Sequence, residues 1–252
     1  MLDIKFKPLN IEEEIKKDKK TPNPYILEFR KGDKDLICFG VKHSCNFSEK
    51  QFEILLNYIK NSDAILIEAN DLKKEYDNEI KFILANSNDK IIIPCDLNIL
   101  KAVILVSNKF DSNDILLLRA LLFLNKKERK ENLRKYISQI LDLIKTEIFF
   151  SEIYKKENFT EESFVKLLEE YLLKNNGKKI DEINENDNIC PSPVEIKTEL
   201  NKIIREISLV RDAHMLEELK RALKNYDNVL YILGKNHIIR QEETIKKIFA
   251  SL

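Results

Sequence analysis

Two histidines stand in matching contexts near opposite ends of this sequence. Leu36-Ile37-Cys38-Phe39-Gly40-Val41-Lys42-His43 and Val229-Leu230-Tyr231-Ile232-Leu233-Gly234-Lys235-Asn236-His237 both read as an apolar run closed by Gly-x-x-His. The chain holds 4 glycines and 3 histidines, so the two copies use half of one type and all but one of the other. Gly40 and Gly234 at strand ends free the backbone to turn sharply. Each histidine is then expected on the rim of a sheet, where open α/β sheets form ligand crevices. Imidazole titrates near neutral pH and is the commonest metal ligand. His43 and His237 are therefore expected to share one site built from the two ends of the chain.

Carboxylates and a guanidinium fall where they would join that site. Glu68 closes an apolar run at 64–69, and Asp96 follows Ile91-Ile92-Ile93-Pro94. If these strands run parallel, His43, Glu68, Asp96 and His237 meet at one edge. Two imidazoles and a carboxylate make a first-row metal site, here His43, Glu68 and His237 around Mn, Co or Zn. Such a cation makes hydroxide available near neutral pH. Without it, the same residues form a His/Glu base. Arg211 shares a helical stripe with Ile207 and Met215 and needs an anionic partner there, because an unpaired buried charge is very costly. A site carboxylate or a substrate oxyanion would supply it. Plainer roles stand beside these: a helix N-terminal charge for Glu68, an N-cap for Asp96, an interhelical salt bridge for Arg211. His214 reads as a helix-surface or packing residue, and Cys45 as a ligand only for a soft metal.

The elements that must position these residues are legible in outline. Runs at 25–30 and 35–41, joined by Lys31-Gly32-Asp33-Lys34, predict a hairpin. Ser48 with Gln51 predicts a capped helix carrying Phe52, Leu55, Leu56 and Ile59. Strands at 64–69 and 91–94 flank a helix at 71–85. From 97 to 175 the pattern is helical almost throughout, with an all-round apolar helix at 112–125 and a helix at 161–175 capped by Thr160 and ended by Gly177. Ser192-Pro193-Val194-Glu195 predicts the start of a long helix reaching about 223. A strand at 229–233 and a helix at 242–250 close the chain. The expected fold class is α/β: one domain over 1–252 with a central mixed sheet flanked by helices and a mainly helical insertion at 112–175.

Composition narrows the possibilities. The 252 residues are 43% hydrophobic, enough for a sizeable core. Lys+Arg and Asp+Glu both count 43, so no basic excess points to nucleic acid as a partner. The four cysteines form no C-x-x-C pair, which argues against a zinc knuckle, and Cys38 inside an apolar strand reads as a reduced buried thiol, which points to a reducing compartment. Charges throughout the first twenty residues leave no signal-peptide core, and no stretch suits a membrane span. A cytoplasmic location is expected.

The ordered set of motifs resembles the TraB/PrgY/GumN/Tiki superfamily. Two Gly-x-x-His motifs, Glu68, Asp96, the helix segment Arg211-Asp212-Ala213-His214-Met215 and Gly234-Lys235-Asn236-His237 carry the resemblance, from about residue 25 to 249. It implies an α/β fold with the site between two halves of the chain. It also implies a functional set of His43, Glu68, Arg211 and His237, supported by Asp96, Asp212, Gly40 and Gly234. Tiki members are regarded as metal-dependent proteases, and others are tied to peptide-pheromone shutdown. The implied function is a hydrolase, metal-dependent, cleaving a peptide, amide or ester bond in a peptide or small-molecule substrate. The alternative is a non-catalytic peptide- or haem-binding protein of the same fold. After His43 and His237 the chain departs from the family, with Ser44-Cys45-Asn46 and Ile238-Ile239-Arg240.

Overall fold

Five apolar runs pair into one mixed sheet in the computed structural model, which describes residues 6–42, 49–72, 78–126, 133–157, 159–184, 187–195 and 197–252. The strands are β1 (Tyr25–Lys31), β2 (Lys34–Val41), β3 (Ala64–Ile67), β4 (Ile91–Pro94) and β5 (Asn228–Gly234), in the order β1-β2-β5-β3-β4. The described helices are α1 (Ile11–Lys20), α2 (Glu49–Asn61), α3 (Asn78–Ala85), α4 (Ile99–Val106), α5 (Ser112–Lys126), α6 (Ile137–Thr146), α7 (Ile148–Lys156), α8 (Glu161–Asn176), α9 (Glu199–Asn225) and α10 (Lys235–Ala250). The expected α/β class holds.

β1 and β2 form the antiparallel hairpin, turned at Gly32 with φ of 59°. The remaining pairings, β2 with β5, β5 with β3 and β3 with β4, are parallel. β5 lies at the centre and is buried throughout after Asn228, so its unbroken apolar sequence suits a strand covered on both faces. β4 lies at the edge, where a proline is tolerated.

The sheet belongs to one of two compact units, Met1–Asn98 with Leu209–Leu252. Period-two alternation sorts its side chains onto two cores. On one face Leu36, Cys38, Tyr231 and Leu233 pack with Met215, Leu219 and Leu223 of α9 and Ile238, Ile245 and Phe249 of α10. On the other, Phe39, Val41, Ile65 and Ile232 pack with Leu55 and Ile59 of α2 and Ile83 of α3.

The second unit, Ile99–Ser208, contains the 112–175 segment and begins before it. In α5, Ile115, Leu116, Leu118, Leu121 and Leu124 are all buried. Arg119 lies among them at 7% exposure. Its Nε donates to Glu147 at 2.8 Å and its guanidinium stacks 3.9 Å over Phe123, which satisfies the buried charge. Thr160 Oγ1 accepts the Ser163 N–H at 3.1 Å to cap α8, and Gly177 ends it with φ of 68°.

Three expectations are corrected and one helix is added. The long helix starts at Glu199, not Ser192, because a second capping pair lies closer: Thr198 and Asn201 exchange backbone–side-chain bonds of 2.9 and 3.3 Å. The last helix starts at Lys235 rather than Glu242, directly off β5. Residues 71 and 72 are not helical, and α3 spans Asn78–Ala85. The charged α1 was not anticipated, although Asn10 and Glu13 form its capping box at 2.9 and 3.2 Å. The expected Ser48 cap lies outside the described residues. Among the described residues no helix is long and apolar enough to cross a membrane.

Candidate functional site

Parallel register brings the carboxylates to the end of β5. Ile67 pairs with Ile232, and the next residue, Glu68, donates its N–H to Ile232 O at 3.2 Å. Glu68 Oε2 then accepts the Gly234 N–H at 2.7 Å. Beyond β4 the pairing continues, with the Cys95 N–H on Ile67 O and the Asp96 N–H on Ala69 O, both at 3.0 Å. Glu68, Asp96 and His237 therefore reach one C-terminal edge of the parallel strands.

His237 sits in the first turn of α10 and bridges two carboxylates. Its Nδ1 lies 2.5 Å from Asp212 Oδ1, and its Nε2 lies 3.3 Å from Glu68 Oε1. A nitrogen that close to a carboxylate oxygen must carry hydrogen, so Nδ1–H donates to Asp212. Arg240 Nη2, 3.0 Å from the same Nδ1, is then a contact between donors and not a hydrogen bond. Burial alone would push the imidazole pKa down. The charges of Glu68 and Asp212 and their hydrogen bonds outweigh it and hold the ring above its ordinary 6.5.

Asp212 has a fully buried side chain and both its oxygens are engaged. Besides the imidazole it accepts Arg240 Nε at 2.6 Å and Gln241 Nε2 at 2.8 Å. Burial raises a carboxyl pKa, but His237 and Arg240 hold that of Asp212 below the usual range. Gln241 is itself fixed, accepting the Tyr231 hydroxyl at 2.8 Å. Arg240 also donates through Nη1 to buried Glu14 of α1 at 2.7 Å.

Arg211 finds its anionic partners in Asp96 and Glu68. Nε and Nη2 grip Asp96 at 2.8 and 2.7 Å, and Nη2 also reaches Glu68 Oε1 at 3.1 Å. Asp96 is thus an ion-pair partner in the position where an N-cap was the plainer expectation. Burial would pull the guanidinium pKa down, but these carboxylates raise it. Nη1 makes no hydrogen bond with the described residues. The side chains of Glu68, Asp96, Arg211 and His237 are 11–19% exposed, while that of Asp212 is sealed from water.

Glu14, Arg240, Asp212, His237, Glu68, Arg211 and Asp96 form a run of alternating charges when the imidazole is protonated. Arg240, Gln241 and Glu14 were missed from sequence. A helix started at Lys235 puts Arg240 and Gln241 three and four residues beyond His237 on one face. That spacing was the available signal.

The other expected residues divide as follows. His43 and Cys45 lie outside the described residues. Gly234 is the N-cap of α10 with φ −55°, a conformation any residue adopts, so its expected role in a sharp turn is not needed. Gly40 lies within β2 and matters for close approach: an added Cβ would stand 3.1 Å from Lys235 Cα and 3.2 Å from Tyr25 O. His214 makes none of the contacts above.

Of the expected metal ligands, His237 Nε2 and Glu68 Oε1 are described. Their 3.3 Å separation suits two donors on one cation, although Arg211 shares that oxygen. Among the described residues no group of three or more His, Cys, Asp or Glu is arranged to hold a metal.

No protein-family model, curated protein or solved structure matches this chain.

Proposed function

We propose that the protein is a hydrolase of the TraB/Tiki kind, acting on a peptide, amide or ester bond at the edge formed by Glu68, Arg211 and His237. The supporting observation is the orientation of His237: Nδ1 is committed to buried Asp212 while Nε2 faces the partly exposed Glu68. A histidine whose rear nitrogen is fixed by a buried carboxylate presents its other nitrogen for proton transfer.

In this reading neutral Nε2 takes a proton from water as the water oxygen bonds to the substrate carbonyl carbon. Asp212 and Glu68 stabilise the imidazolium that forms. Arg211 Nη1 donates to the carbonyl oxygen as it becomes an oxyanion. Collapse of the tetrahedral intermediate breaks the bond to the leaving amine or alcohol, which recovers the proton from Nε2. A divalent cation, when bound, would take Nε2 of His237 and Glu68 as ligands, with His43 as third by resemblance; it would then acidify the attacking water itself, in place of Nε2 as the base.

The test is turnover of p-nitrophenyl butyrate and of a fluorogenic peptide mixture, with and without added Mn, Co or Zn. The wild type is expected to cleave at least one probe, and His237→Asn and Glu68→Gln to lose about 100-fold or more. A wild type inert in every condition, or variants as active as it, overturns the proposal.

A further inference from the structure

A second opening lies in the sheet-bearing unit, at the other end of the strands. It holds about 420 Å³ and is lined at the starts of β2 and β5 by Asp35 and Asn228. Its floor is apolar: Ile37 and Leu230 belong to the sheet face that packs with α2. Its rim is polar, with Glu28 and Arg30 from β1 and Tyr58 and Asn61 from α2.

The hydrogen bonds around this rim consume its donors and leave acceptors over. Asp35 spends both carboxylate oxygens on Arg30, at 2.8 and 2.9 Å. Glu28 Oε1 accepts the Tyr58 hydroxyl at 2.5 Å. Burial and this bond push the Tyr58 pKa up to about 12, so the hydroxyl remains a donor to Glu28 at neutral pH. Asn61 Nδ2 donates to Asn57 O and Asn228 Nδ2 to Asp63 Oδ2, both at 3.0 Å, and these partners fix which end of each amide is nitrogen. Glu28 Oε2, Asn61 Oδ1 and Asn228 Oδ1 make no hydrogen bond with the described residues. One guanidinium facing two carboxylates leaves the rim with a net negative charge.

A ligand that complements three acceptors, a negative rim and an apolar floor carries a compact cation with several N–H donors on a short hydrocarbon chain. An ammonium group has three donors and one positive charge. We propose that this cavity binds a short aliphatic primary amine or diamine. The ammonium meets Glu28 and the two asparagine oxygens, and the methylenes lie on Ile37, with fully buried Leu230 beneath it. The cavity volume falls within the usual range for small-molecule sites. This inference stands apart from the hydrolase reading and shares no residue with it.

The test is an NMR titration of the full chain, following the methyl groups of Ile37 and Leu230. The probes are n-butylamine and 1,4-diaminobutane, with n-butanol and butyrate as controls of matched length. Saturable shifts with both amines, little response to the controls, and at least about tenfold weaker binding in Glu28→Gln are expected. Glu28 is exposed, so that variant leaves the fold intact. Asn61→Leu, which removes one neutral acceptor along with the bond to Asn57 O, is expected to weaken binding less. The proposal is overturned if the amines give no saturable shift at millimolar concentration, if butanol binds equally well, or if Glu28→Gln binds as the wild type does.

Discussion

Nδ1 of His237 and Oδ1 of Asp212 lie 2.5 Å apart, with the aspartate side chain sealed from solvent. The ring is held from behind while its far nitrogen faces the partly exposed Glu68. Asp212 cannot easily turn away, because Arg240 and Gln241 donate to it as well. The orientation of the proposed proton carrier is therefore set by α9 and α10 packing on the same sheet face, not by a surface loop.

The two groups give opposite arms to a stability profile. The folded pKa of His237 lies above 6.5, so its contribution is fully present below that pH and is lost as pH rises through the folded value. The folded pKa of Asp212 lies below 3.8, so its contribution is present above that pH and is lost as pH falls through the folded value. Urea midpoints are expected to be highest in weak acid and to fall on both sides. Catalysis by neutral Nε2 is expected to rise with pH across the span where stability declines. His237→Asn should flatten the alkaline arm; an arm of unchanged depth in that variant assigns it to another group.

Arg211 makes two parallel bonds to Asp96 and a third to Glu68, a geometry that one ammonium cannot reproduce. Arg211→Lys is expected to lower kcat by about 100-fold with little change in KM, as removal of an oxyanion donor does. Chemical denaturation should show a loss of about 1–3 kcal/mol from the impaired charged hydrogen bonds. Equal kcat in the two proteins would remove Arg211 from the chemistry and leave it a structural ion pair.

Much of the sheet was legible because its strands are short apolar runs bounded by Gly, Pro or charge. Glu68, Asp96 and His237 met at one edge because each follows such a run and the runs are parallel. What hid the support for the site was a misplaced helix start. Lys235-Asn236 reads as a polar link, yet the burial of Ile238 and Ile239 makes it the first turn of α10. Glu14 was invisible for a different reason: a Glu in a charged run looks solvated, and only the tertiary partner Arg240 shows that it is buried. The start at Ser192 failed because two capping signals compete and the nearer one wins.

Gly40 offers a test of packing free of site chemistry. A Cβ there would meet two backbone atoms, Lys235 Cα at 3.1 Å and Tyr25 O at 3.2 Å, and the Ile238 side chain at 3.3 Å. Backbone atoms cannot rotate away, so β2 and α10 must separate. Gly40→Ala is expected to cost about 1–3 kcal/mol, read from urea unfolding, without any change in the residues of the site. A variant as stable as the wild type would show that these elements can shift apart freely.

The pair formed by Glu14 and Arg240 ties α1 to the site. Both are nearly inaccessible to water, so removing Glu14 takes one of two buried carboxylate partners from Arg240, which keeps Asp212. Glu14→Ala is expected to cost about 3 kcal/mol, and Glu14→Leu with Arg240→Met less than the sum of the single changes, because the direct Glu14–Arg240 bond is lost only once; Asp212 keeps His237 and Gln241 in either case. Additive losses would mean that the two side chains do not act as a pair. Arg240→Met carries a second consequence that a purely structural contact would not. It removes a positive charge 3.0 Å from Nδ1 of His237, so the imidazole holds its proton to higher pH. The alkaline decline in stability and the rise in activity should both move up the pH scale together. A shift of one without the other would show that they report different groups.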